Sequence, residues 1–125
     1  MTHSAVFLSV GGCVALIGIV LLLAPGSYVQ LYATDYSTGM DFPARRFAPA
    51  VLALGVLLIS ACAVERGPFL QRLCLISAGA FLGVAITGLH AWSTGIARPA
   101  ILWAAAVELV VASVFLWLWV RSRRD

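Results

Sequence analysis

Residues 5–24 read Ala5-Val6-Phe7-Leu8-Ser9-Val10-Gly11-Gly12-Cys13-Val14-Ala15-Leu16-Ile17-Gly18-Ile19-Val20-Leu21-Leu22-Leu23-Ala24, without one charged side chain. A helix of about 20 residues rises about 30 Å, the thickness of a bilayer's hydrocarbon core. A signal peptide would place Lys or Arg ahead of a shorter apolar run. Only His3 stands there, so the segment reads as a span that is kept. Working outward, three more such runs follow at 44–64, 69–90 and 99–120, separated by Pro, Gly and charged residues. The fold class expected is all-α: a four-helix transmembrane bundle, with residues 1–125 forming a single membrane domain.

The whole chain agrees with its first run. It is 62% hydrophobic and 10% charged over 125 residues, with a mean hydropathy of +1.03. A soluble domain this small could not cover so much apolar surface. The formal charge of +3 comes from arginine alone, because there is no lysine. These arginines sit at helix ends and form no basic stripe with aromatics, so nucleic acid is not an expected partner; the bilayer is. Four spans put both termini and the second loop on one side. That side carries Arg66, Arg72, Arg121, Arg123 and Arg124, against Arg45, Arg46 and Arg98 on the other. The positive-inside rule then places both termini in the cytoplasm of a cell with the chain in its inner (plasma) membrane. Cys13, Cys62 and Cys74 all lie in apolar runs, none in a CxxC pair, and read as small hydrophobes.

The connecting segments carry their own signals. Pro25-Gly26 ends span one. Tyr28, Leu31 and Tyr32 then fall at i, i+3 and i+4, as on a short amphipathic helix at the interface. Pro43 suits a helix's first turn, and Pro49 cannot donate to the Arg45 carbonyl and predicts a kink. Glu65-Arg66-Gly67-Pro68 is a turn. Tyr36-Ser37-Thr38-Gly39-Met40-Asp41-Phe42-Pro43-Ala44 echoes Trp92-Ser93-Thr94-Gly95-Ile96-Ala97-Arg98-Pro99-Ala100. If the echo is a duplication, the chain is two related helical hairpins; chance in a small alphabet is the rival reading.

Glu108 is the most informative residue. It stands about nine residues into span four, about 13 Å below the start of that helix. A carboxylate at that depth faces a bundle interior or a wet cavity. Two roles fit: pairing with an arginine to fix helix order, or binding a ligand or proton. Arg45 and Arg46 open span two from the same, non-cytoplasmic, face. His90 closes span three there, beside Trp92, and Asp41 lies in the loop above. The expected ligand-binding or charge cluster is therefore Arg45, Arg46, His90 and Glu108, with Asp41 and Trp92 as secondary members. No metal is expected, because zinc takes three or four protein ligands. No cofactor is expected and no catalytic residue is assigned, since no Ser-His-Asp order, phosphate loop or HExxH pattern appears. Gly11, Ala15 and Gly18 on span one, and Gly79, Gly83 and Thr87 on span three, allow close helix approach, either within the chain or across a homo-oligomer.

These features resemble the small bacterial membrane family called domain of unknown function 4345. The resemblance rests on Asp41, Arg45 or Arg46, a small-rich span two, Gly95 with Pro99, and Glu108-Leu109, and covers nearly the whole chain. An arginine expected late in span three is replaced here by Thr87, Gly88 and His90. The resemblance implies the four-span fold and the polar site, and no activity. A fainter similarity, to the sterol-synthesis scaffold proteins, rests on Leu31-Tyr32, Ala44-Arg45-Arg46-Phe47, Gly88-Leu89-His90 and Thr94-Gly95, and implies tethering of enzymes. Small multidrug exporters match in length but carry their essential Glu in span one. The function expected is a non-catalytic accessory or binding protein whose polar mouth takes a lipid-like ligand or a partner's membrane helix. A membrane enzyme acting on a lipid or quinone, with Glu108 or His90 as acid-base group, is the alternative, and a small proton-coupled transporter the third.

Overall fold

A computed structural model describes residues 2–123. Among these the fold is all-α: α1 (His3–Leu23), α2 (Pro25–Tyr32), α3 (Asp41–Ala61), α4 (Pro68–Ser93) and α5 (Ile101–Ser122), with a 3₁₀ turn at Thr38–Met40 leading into α3. Four segments are long and apolar enough to cross a membrane: His3–Leu23, Thr38–Ala61, Pro68–Ser93 and Ile101–Ser122. The chain is a multi-pass membrane protein, as its composition requires. Arg124, counted in the charge asymmetry, lies outside the described residues.

The element boundaries follow from local chemistry. Thr2 caps α1, its hydroxyl oxygen accepting from the Ala5 N–H. The break between α1 and α2 is set by Pro25, whose ring disfavours a helical residue before it. Ala24 accordingly turns to φ −142°, ψ 60°, while its N–H still reaches the Val20 carbonyl. Pro25 then starts α2 at a position where no N–H is needed. The short helix expected around Tyr28 and Tyr32 is thus present, and those two rings meet edge to face at 5.3 Å. Helix α3 begins at Asp41, earlier than the expected 44, and continues through Pro49 to Ala61. Helix α4 runs three residues past His90 and ends in a Schellman motif. There Gly95 takes φ +78°, Ile96 N–H donates to the Ala91 carbonyl, and Gly95 N–H donates to that of Trp92. Pro99 does not start α5; it sits in a turn two residues before Ile101.

The chain forms two compact units, divided between Ala63 and Val64. In the first, α1 and α3 pack antiparallel with almost nothing between their backbones. A methyl group built on Gly11 would stand 2.8 Å from the Ile59 nitrogen, and one on Gly18 would stand 2.6 Å from the Leu52 nitrogen. One on Gly55 would overlap Ala15. The small residues expected to line span one therefore do so, and their partners are on α3. Lipid tails are as apolar as leucine, so this close van der Waals contact, not water exclusion, is what favours the pair. The Ser4 hydroxyl donates to the Cys62 carbonyl at 2.9 Å and joins the far ends of the two helices.

The second unit is the antiparallel pair α4–α5. Phe81 stacks on Phe115 at 6.0 Å near its middle. Gln71 Nε2 donates to the Ser122 carbonyl at 2.8 Å at one end, and Gly88 lies against Ile101 at the other. Side chains build this interface, unlike the first. Gly79 and Gly83 do not take part in close packing: a Cβ on either would meet nothing within 4 Å.

Candidate functional site

Glu108 sits seven residues into α5, so about 10 Å from its start, slightly shallower than expected because the helix begins at Ile101. Its orientation follows from helical spacing. Ala105, Ala112 and Phe115 are buried, and 105, 108, 112 and 115 fall on one line of the helix at steps of three, four and three. Glu108 shares that line and is half-buried, whereas Trp103 and Val107 face outward at 80% and 62% exposure. Among the described residues of its own pair of helices no hydrogen bond reaches the carboxylate. A carboxylate with this placement is built to meet another polar group.

His90 belongs to the same unit, one turn before the end of α4. Its ring is exposed, and no hydrogen bond joins it to Glu108. Its carbonyl accepts from the Ser93 hydroxyl at 2.8 Å and the Thr94 hydroxyl at 3.1 Å. Trp92, 44% exposed, lies two residues on, as an interfacial anchor would.

The remaining expected residues belong to the first unit, at the start of α3. Asp41 opens that helix, where the N-terminal dipole favours an anion. Arg45, one turn on, and Arg46 are both exposed. Phe42 and Phe47 flank them at 70% and 65% exposure. Asp41 is not bonded to Arg45; it accepts a 2.8 Å hydrogen bond from the Tyr36 hydroxyl. That bond raises the Tyr36 phenol above its ordinary value of 10.0, burial and the Asp41 charge add to the effect, and the Gln30 amide opposes it. Gly26 makes room: a Cβ there would sit 2.6 Å from the Tyr36 oxygen and 3.3 Å from the Asp41 carboxylate.

The structure therefore gathers Asp41, Arg45 and Arg46 at one helix start, and places His90, Trp92 and Glu108 on the α4–α5 pair. It adds Tyr36, expected only as part of the echoed window, and Gly26, expected only as the end of span one. Among the described residues no three His, Cys, Asp or Glu side chains converge as a metal site would need. Comparison with protein-family models, curated proteins and solved structures finds no match to the chain.

Proposed function

We propose that the chain is a non-catalytic binding or accessory protein of the inner membrane, with both termini cytoplasmic. In this proposal Glu108 is the group that a lipid-like ligand or a partner's membrane helix meets. One observation carries the reading: a half-buried carboxylate on the buried line of a membrane helix, with no hydrogen-bond partner among the described residues of its own helix pair. His90, on the other helix of the same pair, offers a hydrogen-bonding group for an anionic or carbonyl-bearing head, while Arg45 and Arg46 form a separate cationic pair at the start of α3 in the first unit. This is also the arrangement that the resemblance to domain of unknown function 4345 implies.

The test is native mass spectrometry of the gently purified protein and of its Glu108→Gln and Glu108→Ala variants. A bound lipid or subunit is expected on the wild type and absent from both variants, with helicity unchanged. If the carboxylate only holds helices together, both variants lose stability and nothing co-purifies with the wild type. The loss then lies between about 0.6 kcal/mol, typical of interhelical polar contacts in membranes, and about 3–5 kcal/mol for a broken buried pair.

A further inference from the structure

A second site lies on α4–α5, its apolar lining in the middle of the two helices and its arginines at the end away from His90, and it makes no use of the Glu108 carboxylate. The two helices leave a groove of about 290 Å³ between Leu75, Gly79 and Leu82 on one side and Leu109, Ala112 and Leu116 on the other. Its floor is open at Gly79, where a Cβ would meet nothing within 4 Å. Its one hydroxyl, Ser113, donates to the Leu109 carbonyl of its own helix at 2.8 Å, so the groove presents no unpaired donor and suits hydrocarbon.

The polar end of the groove is set by register. Arg72, Leu75, Gly79 and Leu82 follow one another at steps of three, four and three, so Arg72 stands on the groove line one turn beyond Leu75. Arg123 comes seven residues, two turns, after Leu116 on the facing helix. The bond from Gln71 to the Ser122 carbonyl holds these two helix ends level. By register the two arginines stand at the same end of an apolar groove about 10 Å long between Leu75 and Leu82. Both arginines are exposed, and Arg123 lies 5.0 Å over the Trp119 ring, an amphipathic side chain suited to headgroup depth. At this end of the unit Glu65 is the one described acid, against Arg66, Arg72, Arg121 and Arg123.

We propose that a phospholipid with an anionic headgroup docks here, its phosphate between Arg72 and Arg123 and one acyl chain in the groove over Gly79. A second copy of the chain fits less well. Copies inserted the same way would bring their arginine ends together, whereas a phosphate neutralises them.

The experiment adds dioleoyl phosphatidylglycerol or dioleoyl phosphatidylcholine to the delipidated full chain and reads retained lipid by native mass spectrometry. Phosphatidylglycerol is expected to be retained about 25-fold over phosphatidylcholine, since each of the two arginines near the headgroup contributes about 1 kcal/mol, about fivefold. Arg72→Gln and Arg123→Gln are each expected to lower that ratio about fivefold. Gly79→Leu starts from a Cβ that meets nothing within 4 Å, places its side chain in the groove and is expected to remove lipid retention with helicity intact. Inorganic phosphate should not compete, because it has no chain to place. Equal retention of the two lipids, undiminished retention by Gly79→Leu, or competition by phosphate alone would each overturn the proposal. So would loss of a dimer, rather than of lipid, in Gly79→Leu, which would give the groove to a second copy.

Discussion

Tyr36 and Asp41 tie the loop after α2 to the first residue of α3, and the tie is a single short hydrogen bond. Because the phenol donates to a carboxylate, its proton is held more firmly than in water. The folded pKa lies above the unfolded one, so the bond contributes fully below about pH 10, the ordinary tyrosine value. It is lost as pH rises through the raised folded value. Ultraviolet titration should therefore show one of the three tyrosines ionising later than the others, and both Tyr36→Phe and Asp41→Asn should abolish that late phase. Three tyrosines titrating together would show the bond to be unformed. Glu108 differs in kind: its position on the buried line of α5 follows from spacing, so the residue was legible from sequence. Tyr36 was not, because a bond across five residues through a 3₁₀ turn depends on loop geometry that no periodicity encodes.

Glycines at similar spacing do opposite things in different helices. Gly11 and Gly18 sit against α3, while Gly12, Gly79 and Gly83 face open space. Gly18→Leu is expected to destabilise the first unit by about 1–3 kcal/mol or more, since the clash is with backbone that cannot rotate away. Gly12→Leu, one residue from Gly11, should be neutral in the same thermal unfolding measurement in detergent. Equal effects would mean that the α1–α3 contact is misassigned. Gly95→Ala should cost about 1 kcal/mol for the left-handed backbone at the end of α4. The Thr94-Gly95 and Thr38-Gly39 windows look alike as sequence yet end one helix and begin another. Only Gly95 is left-handed, and Pro43 lies inside α3 whereas Pro99 lies outside α5. Helix existence was legible because about 20 apolar residues have few alternatives. Which face of a helix meets a neighbour was not, because small-residue spacing shows where a helix is smooth without showing what covers it.

At the scale of the molecule, each unit carries its own interhelical contacts, glycine-lined in one and phenylalanine-centred in the other. Residues 1–63 and 64–125 expressed separately should each insert and give a helical circular dichroism spectrum; a half that is degraded or aggregates would show that its pair needs the rest of the chain. The arginine asymmetry makes a further prediction. Cysteine at position 37 should react with an impermeant reagent in intact cells, and cysteine at position 122 only after permeabilisation. The reverse pattern would invert the orientation that the positive-inside rule assigns.

The near-touching backbones of α1 and α3 have a thermal consequence. Gly11, Gly18 and Gly55 possess no rotamers, so bringing them together forfeits no side-chain entropy. What favours the contact is dispersion, which is an enthalpy. A soluble core held by water exclusion weakens on cooling. This seam lacks that weakness and should tighten as temperature falls, leaving the first unit firmest under the conditions in which many water-soluble proteins begin to loosen.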